Sequence, residues 1–460
     1  MSSDTDNKVI GASYSHADAL RKESTTTSPS ESSRHSRKSK KSYFDLDDDW
    51  DANVEHDLVS NQRVQKSIEH KPEMNDSSKD LYYSAPSSRA STSGLKTQFD
   101  GIMRDPASQL YSMHGGGRHS SDSVVADTRT NAEIEELNSR LSRINRFKKV
   151  LQASNVDLNE LKRLSWSGIP DELRPMSWQL LLGYLPTNAE RRVTTLARKR
   201  KEYLDGVNQV FSSGLDQSMW HQISIDVPRT NPHIKLYSFD TTKRALERIL
   251  YLWAIRHPAS GYVQGINDLV TPFFQSFLSA YIDGDPEIYD PSNLPKEVLD
   301  VVEADSFWCL TKLLDGIQDN YIHAQPGIHR QVAELRDLTQ RIDNNLVRHL
   351  QKENVEFMQF SFRWMNCLLM RELSVKNITR MWDTYMAEGA DGFSEFHVYV
   401  CAAFLVKWSA KLQQMDFQEI MMFLQALPTK DWTEKDMELL LSEAFMWQSL
   451  FKNASAHLRN

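Results

Sequence analysis

Apolar residues are spread very unevenly along this chain of 460 residues. Ser, Asp, Lys, Arg and Thr dominate residues 1–130, and every tryptophan except Trp50 lies after position 160. A segment with so few apolar residues cannot bury enough surface to offset the entropy that it loses on ordering. We therefore predict that residues 1–130 form a disordered tail and that folded structure begins near residue 131.

From residue 131 onward, apolar residues recur at the three-, four- and seven-residue spacings of amphipathic helices. The first of these stripes runs from Ile134 to Leu151 and predicts a helix that leads into the folded domain and packs on it. Asp240 is the predicted N-cap of a later helix that stops at Pro258. Other stripes predict helices at about residues 171–183, 190–211, 265–281, 307–317, 331–352, 357–371, 376–386, 396–412 and 437–451.

The helical spacing continues almost to the last residue, and neither strand-like alternation nor a repeat of solenoid length occurs. The pattern predicts an all-α protein, with a single multi-helix domain after the disordered tail. We expect leading helices at residues 131–165, the main domain at 166–415, and C-terminal helices packed on that domain at 416–460. Residues 283–305, which are acidic and interrupted by prolines, are predicted to form a loop between helices.

Charge and cysteine content narrow the function classes. The formal net charge of −8 gives no electrostatic reason to expect nucleic-acid binding. Cys309, Cys367 and Cys401 are odd in number and far apart, which is typical of reduced thiols in the cytosol. The first residues lack the apolar stretch of a signal peptide, and no run approaches the ~18 consecutive apolar residues of a membrane span. We therefore expect a cytoplasmic protein without a transmembrane segment.

The common sequence signatures of enzymes do not occur in this chain. There is no G-x-x-x-x-G-K-[ST] motif, so we do not expect the chain to bind a nucleotide through a P-loop. The H-E-x-x-H, G-x-S-x-G and kinase motifs are also missing. Two segments between predicted helices remain as candidates for chemistry: the Arg229 segment (residues 223–232) and the Gln264 segment (residues 258–268).

The Arg229 segment contains Pro228 and Pro232. Two prolines so close together predict an extended, non-helical backbone from which Arg229 projects. Asp226 lies three residues before Arg229 and could hold its guanidinium. Considered alone, the pair is better explained as an ordinary surface salt bridge.

The Gln264 segment lies between two strongly apolar predicted helices. Its glycines, Gly261 and Gly265, allow the backbone to approach a partner closely. Gln264 lies between these glycines, next to Gly265. Considered alone, Gln264 is better explained as a polar residue that caps a helix.

Together, the two segments resemble the TBC (Tre-2/Bub2/Cdc16) Rab-GAP domain family. The pattern I-x-x-D-x-x-R covers residues 223–229, and Y-x-Q-G covers residues 262–265, about thirty residues further along an all-helical chain. The resemblance extends over residues 165–415. Other motifs of that family are matched in the same order at residues 168–170, 362–373 and 381–383.

The resemblance implies a GTPase-activating protein that stimulates GTP hydrolysis by a Rab-family small GTPase and thereby regulates membrane traffic. Arg229 and Gln264 would be its catalytic residues, with Arg229 stabilising charge in the transition state and Gln264 orienting the attacking water. GTP and Mg²⁺ would be carried by the partner GTPase. No cofactor and no independent reaction are therefore expected of this chain.

The resemblance also implies supporting roles around the two catalytic residues. Asp226 would hold Arg229, and Ile223 belongs to the same motif. Tyr262 and Gly265 would shape the loop that carries Gln264.

Tryptophans and an aspartate in the remaining family motifs are predicted to serve the fold. Trp178, Trp364 and Trp382 lie at helical spacing among Leu and Met residues, which favours the core. Asp383 could cap a helix or pair with Arg371 or Arg380.

The alternative function is a non-catalytic Rab-binding or Golgi scaffold protein. Residues 254–274 and 314–321 resemble one branch of the family in particular, whose members are associated with the Golgi. The predicted tail contains an acidic-aromatic run at 43–51, and serines that follow basic residues at Ser91, Ser120 and Ser121. These features suggest that the tail binds a Golgi scaffold or a phosphosite-binding adaptor, with the protein peripheral at the Golgi.

Overall fold

The computed structural model describes residues 94–112 and 131–457. Within these ranges it is helical, with two isolated β-bridges and no β-strand, so the predicted all-α fold is confirmed there. The α-helices are α1 (Phe99–Arg104), α2 (Ser108–Ser112), α3 (Asn131–Leu151), α4 (Leu158–Ser165), α5 (Arg174–Leu181), α6 (Arg192–Ser212), α7 (Gln217–Asp226), α8 (Asp240–Arg256), α9 (Ile266–Leu269), α10 (Thr271–Ser279), α11 (Lys296–Gly316), α12 (Pro326–Ile342), α13 (Asn344–Lys352), α14 (Phe357–Asn366), α15 (Val375–Glu388), α16 (His397–Val406), α17 (Ser409–Leu412), α18 (Phe417–Gln425) and α19 (Glu434–His457).

Short 3-10 turns and one π-helical turn connect several of these helices. The 3-10 turns are Asp171–Leu173, Ala189–Arg191, Val227–Arg229, Lys235–Ser238, Pro291–Asn293, Gln318–Asn320 and Gly389–Asp391, and the π-helical turn is Gly392–Phe396.

Several predicted helices are divided or bounded differently in the structure. The predicted helix at 265–281 is α9 and α10, and Pro272 lies in the first turn of α10, where its missing N–H is not needed. The predicted helix at 331–352 is interrupted at Asp343, whose carboxylate accepts from the main-chain N of Leu346 and caps α13. The predicted helix at 396–412 is α16 and α17. The predicted N-cap Asp240 is instead the first residue of α8, and Phe239 occupies the cap position.

The predicted acidic loop at 283–305 is wrong in its second half. Helix α11 begins at Lys296, directly after Pro295. Val298 and Val302 are buried in the core, so the apolar face of α11 holds this stretch in a helix despite its acidic residues.

Residues 94–112 are folded, which corrects the prediction of a disordered tail over all of 1–130. Lys96 Nζ donates to the main-chain oxygens of Ser279 and Ala280, at 2.8 and 3.1 Å, near the end of α10. Ile102 and Leu110 are buried in the core. Two short helices thus cover part of the domain surface. The acidic-aromatic run 43–51 and Ser91, Ser120 and Ser121 lie outside the described residues.

Helix α3 packs on the domain only through its C-terminal half. Ile144 and Leu151 are buried, whereas Ile134, Leu137 and Leu141 are more than 40% exposed. The prediction that the whole stripe packs on the domain is therefore wrong for its first three positions.

Tryptophans form the centre of the core, as predicted. Trp178, Trp364 and Trp382 are fully buried, and Phe273 lies 5.6 Å from Trp178 and 5.3 Å from Trp382 between ring centroids. Trp178, Phe273 and Trp382 thus join α5, α10 and α15 in the core.

Asp383 ties the start of the main domain to α15. Its carboxylate accepts from the main-chain N of Ile169, from the guanidinium of Arg174 and from Nε1 of Trp178, and it is fully buried. Asp383 therefore pairs with Arg174 and not, as expected, with Arg371 or Arg380.

The C-terminal part consists of α18 and α19, and α19 lies against α15 and α16. Met437, Leu441 and Ala444 of α19 are buried. Cys309, Cys367 and Cys401 are buried thiols without a disulfide. In the part of the chain that the structure describes, no helix is both long and apolar enough to cross a membrane.

Candidate functional site

The Arg229 segment is more helical than its prolines predict. Helix α7 continues to Asp226, and Val227–Arg229 forms a 3-10 turn before the chain becomes extended at Thr230. Pro228 lies in the first turn of this 3-10 helix, where a proline nitrogen needs no donor hydrogen. The predicted extended backbone is therefore wrong at Arg229, although the segment does turn sharply there.

Arg229 lies at the surface next to a buried carboxylate. Its Nη2 and Nε donate to Oδ1 of Asp226 at 2.6 and 3.2 Å. The side chain of Arg229 is 39% exposed, whereas that of Asp226 is 6% exposed. Ile223, one helical turn before Val227, is fully buried and anchors the end of α7 in the core. The guanidinium is thus oriented by a fixed carboxylate and remains accessible to a partner.

Tyr262 connects the Gln264 segment to the same carboxylate. Its hydroxyl donates to Oδ2 of Asp226 at 2.7 Å, and both side chains are buried. Burial, followed by the negative charge of Asp226 and the hydrogen bond to it, raises the pKa of Tyr262 well above its ordinary value. Tyr262 therefore remains a protonated donor at physiological pH, and Asp226 is held from both sides.

Asn267 makes a second connection between the two segments. Its Nδ2 donates to Oγ1 of Thr230 at 2.9 Å, and its Oδ1 accepts from the main-chain N of Gly265 at 3.0 Å. Oγ1 of Thr230 in turn donates to the main-chain oxygen of Asp226 at 3.0 Å. All of these polar groups are buried. The backbones that carry Arg229 and Gln264 are therefore parts of one hydrogen-bonded network.

Gln264 is partly exposed, and its backbone contacts buried residues of the domain. Its main-chain oxygen accepts from Nδ2 of Asn366 at 2.9 Å. Gly265 has a φ of +105°, a conformation that L side chains rarely adopt. A Cβ at Gly265 would also lie 2.6 Å from Nδ2 of Asn366, so this position needs glycine for both reasons.

The other end of the Gln264 segment is tied by an ion pair. Nε of Arg371 donates to Oδ2 of the buried Asp268 at 2.7 Å. Asn366 is the last residue of α14 and Arg371 lies in the turn that follows, so one stretch of chain contacts both ends of the Gln264–Asp268 backbone.

The structure thus places Asp226 and Ile223 at the Arg229 turn and Tyr262 and Gly265 in the Gln264 loop, and Tyr262 contacts Asp226. The spacing suggested only the Asp226–Arg229 pair, whereas the positions of Tyr262 and Gly265 were implied by the family resemblance.

Thr230, Asn267, Asn366 and Arg371 also hold this site, and the sequence assigned none of them to it; Arg371 was considered only as a partner of Asp383. The Asn267-Asp268 pair, which begins two residues after Gly265, was the one local signal, because Asn and Asp often bond the backbone at helix starts.

The arrangement offers an accessible guanidinium on one segment and a partly exposed carboxamide on another, and the backbones of the two segments are joined by buried hydrogen bonds. A guanidinium can donate to phosphate oxygens, and a carboxamide can both donate to and accept from a water molecule. The site is therefore suited to an anionic substrate that is attacked by water.

Comparisons with known proteins find a family model, relatives and a solved structure that this chain resembles. The profile of the Rab-GTPase-TBC domain matches residues 171–413. The chain is 60% identical over 361 residues to GTPase-activating protein gyp1 of Schizosaccharomyces pombe, covering 77% of this chain and 70% of that protein. It is 52% identical over 322 residues to human TBC1 domain family member 22B, covering 69% of this chain and 64%, less than two thirds, of that relative. A crystal structure of the Ypt/Rab-GAP domain of Gyp1p, 57% identical, matches 68% of this chain and 99% of that chain with a TM-score of 0.66.

Proposed function

Because this chain belongs to the Rab-GTPase-TBC domain family, we propose that it is a GTPase-activating protein for a Rab-family small GTPase, with Arg229 and Gln264 as its catalytic side chains. One observation carries the proposal. The accessible Arg229 and the loop of Gln264 are joined through the buried hydroxyl of Tyr262 and the carboxylate of Asp226.

Arg229 supplies positive charge to the nucleotide site of the partner. Charge on the transferring phosphoryl group is spread over its oxygens in the transition state, and a planar guanidinium can donate to two of them. Asp226 holds the guanidinium in one orientation before the complex forms, so less reorganisation is needed at the moment of reaction.

Gln264 orients the attacking water through its carboxamide. The water must lie in line with the bond that breaks, so the side chain that orients it needs a backbone in a fixed position. Gly265, with its positive φ, and Tyr262, with its bond to Asp226, set the direction of the loop, and the buried Ile223 anchors α7 beneath it. GTP and Mg²⁺ are supplied by the Rab in this scheme.

Single-turnover GTP hydrolysis across a panel of Rab proteins tests the proposal. We expect wild type to accelerate hydrolysis by at least one Rab, and Arg229→Ala to remove about 10³–10⁵-fold of rate, which corresponds to about 4–7 kcal/mol of barrier. Gln264→Ala should also slow the reaction, while both variants still bind the GTP-loaded Rab.

A Rab that binds the wild-type chain without any acceleration would contradict the proposal. The non-catalytic Rab-binding or scaffold function would then be the better description. Full activity of both Arg229→Ala and Gln264→Ala would instead mean that catalysis uses other residues.

We further infer, from the family resemblance, a cytoplasmic protein that is peripheral at the Golgi. We propose that the predicted tail, residues 1–130 apart from the folded segment 94–112, binds a Golgi scaffold or a phosphosite-binding adaptor. Imaging of the full chain and of a chain that lacks residues 1–93 tests this. Loss of Golgi localisation in the shorter chain is expected, and equal localisation of both chains would contradict it.

A further inference from the structure

Asn366 lies directly beneath the Gln264 loop. It is the last residue of α14, is 4% exposed, and its Nδ2 donates to the main-chain oxygen of Gln264 at 2.9 Å. Its amide also lies against Gly265, where a Cβ would come within 2.6 Å of the same nitrogen. Gln264 and Asn366 are 102 residues apart in the chain, so this contact is purely tertiary.

The backbone at Asn366 is itself held firmly. Its main-chain oxygen accepts from the buried hydroxyl of Tyr321 at 2.8 Å. Leu368 and Leu369 follow with φ of 48° and 61°, and both are fully buried. Consecutive non-glycine residues in the left-handed region are strained and persist only where the surrounding structure over-determines them. The Asn366 amide is therefore presented from a backbone with little freedom to move.

The orientation of this amide follows from its partner. The main-chain oxygen of Gln264 can only accept, so Nδ2 and not Oδ1 of Asn366 must face it. Oδ1 is then buried without a hydrogen-bond partner among the described residues. A buried acceptor without a partner lowers stability, and an apolar side chain of the same shape would avoid that cost. The same apolar side chain would, however, leave the main-chain oxygen of Gln264 without the Asn366 donor, so the asparagine is explained by its bond to the Gln264 loop.

We propose that Asn366 is a positioning residue for Gln264. Through its hydrogen bond to the Gln264 main chain, Asn366 sets the position and direction of the loop and thereby the position of the Gln264 carboxamide. The inference rests on the proposed function, since it assumes that Gln264 orients the water. Arg371 holds the C-terminal end of this loop through Asp268. Asn366 holds the other end, at Gln264.

The test compares Asn366→Ala and the better-filling Asn366→Leu with a matched control. The control is Asn377→Ala, because Asn377 is equally buried and its Nδ2 donates to the main-chain oxygen of Trp432 at 3.0 Å, outside both candidate segments. Each variant is measured in single-turnover GTP hydrolysis with a responsive Rab, in Rab affinity and in thermal unfolding.

We expect both Asn366 variants to slow hydrolysis about 10–100-fold while the Kd for the Rab changes less than about threefold. Asn377→Ala should keep the wild-type rate. In a Gln264→Ala background, Asn366→Ala should change the rate less than about twofold, because a residue that acts through Gln264 has nothing left to position.

Equal slowing by Asn366→Ala in both backgrounds would overturn the inference, as would wild-type rates for both Asn366 variants. Failure of the proposed function is distinguishable, because Gln264→Ala would then have no effect on its own. Hydrogen exchange over residues 262–268 decides the positioning role independently of activity. Faster exchange in both Asn366 variants but not in Asn377→Ala supports it, and unchanged exchange overturns it.

Discussion

The two segments that carry the proposed catalytic residues are held in different ways. Arg229 is held through its side chain, by a carboxylate three residues earlier in the same turn. Gln264 is held through its main chain, by the amide of Asn366, by the positive φ of Gly265 and by the bond from the Gly265 nitrogen to Asn267. The first arrangement is local and electrostatic, and the second is tertiary and steric.

The difference matches the tasks we propose for the two residues. A guanidinium that stabilises charge acts over several ångströms and tolerates small displacement, because Coulomb energy falls only gradually with distance. A carboxamide that orients water acts through hydrogen bonds, which weaken steeply with angle and distance. The Gln264 segment has the stricter geometric task, and it is the segment in which the main chain next to the catalytic residue is held by the Asn366 amide.

The largest effect should come from Arg229. We expect Arg229→Ala to lower the single-turnover rate about 10³-fold or more and to lower the unfolding free energy by about 1–3 kcal/mol, because the buried carboxylate of Asp226 loses its cationic partner. Arg248→Ala is the control, since Arg248 pairs with the buried carboxylate of Glu303, which also accepts from a buried tyrosine hydroxyl, outside both candidate segments. It should cost similar stability and no rate. A similar loss of rate in Arg248→Ala would break the distinction between the segments.

The next effect tests the steric side of the comparison. We expect Gly265→Ala to slow hydrolysis about 10²-fold and to lower the unfolding free energy by about 1–3 kcal/mol, because it adds both strain at φ +105° and a clash with Asn366. Gly261→Ala is the control in the same segment, at φ +61° with no atom near the added Cβ. It should keep the rate within about threefold. Equal rate losses at both glycines would show that strain and not contact with Asn366 matters.

A smaller effect should follow from the link between the segments. We expect Tyr262→Phe to slow hydrolysis about tenfold, because Asp226 loses one of the two groups that fix it, and to lower stability by about 1.5–3 kcal/mol. Tyr184→Phe is the control, since Tyr184 donates to the buried Asp305 at the same 2.7 Å. Chemical denaturation should show similar losses of stability in the two variants, and single-turnover assays should show a slower rate only in Tyr262→Phe. A wild-type rate for Tyr262→Phe would mean that the segments act independently.

The smallest effect concerns pH. The pKa of Tyr262 is raised by burial above the unfolded value of about 10, so the protonated form is favoured in the folded state. The stability that this group contributes is therefore fully present below about pH 10 and is lost as the pH rises further. Across about pH 6–9 the rate should show no inflection from Tyr262. An inflection in that range that disappears in Tyr262→Phe would contradict the assigned protonation state.

The difference between the segments also explains which parts of the site could be predicted. Asp226 and Arg229 are three residues apart, so their pairing follows from local geometry once the chain forms a helical or 3-10 turn there. The prolines misled the prediction of the backbone because Pro228 is compatible with the first turn of a helix. Gly265 was recognisable because a glycine next to a candidate catalytic residue commonly marks a special backbone conformation.

Asn366 and Thr230 could not be assigned in the same way. Each forms one hydrogen bond to the Gln264 segment, with a partner that is distant in the sequence. The sequence next to Asn366 and Thr230 contains no pattern that predicts these bonds. For the same reason, Asp383 was matched with nearby arginines when its partner, Arg174, lies 209 residues away.

The apolar spacing alone determined that this chain is helical and has a tryptophan-rich core, because helix formation and burial depend on periodicity that can be read locally. It also determined which local pairs could form, such as Asp226 with Arg229. Only the tertiary structure decided that residues 94–112 pack on the domain, that the first turns of α3 do not, and that Asn366 supports Gln264. Those outcomes depend on which surfaces meet when the helices pack, and side chains from distant parts of the chain meet only then.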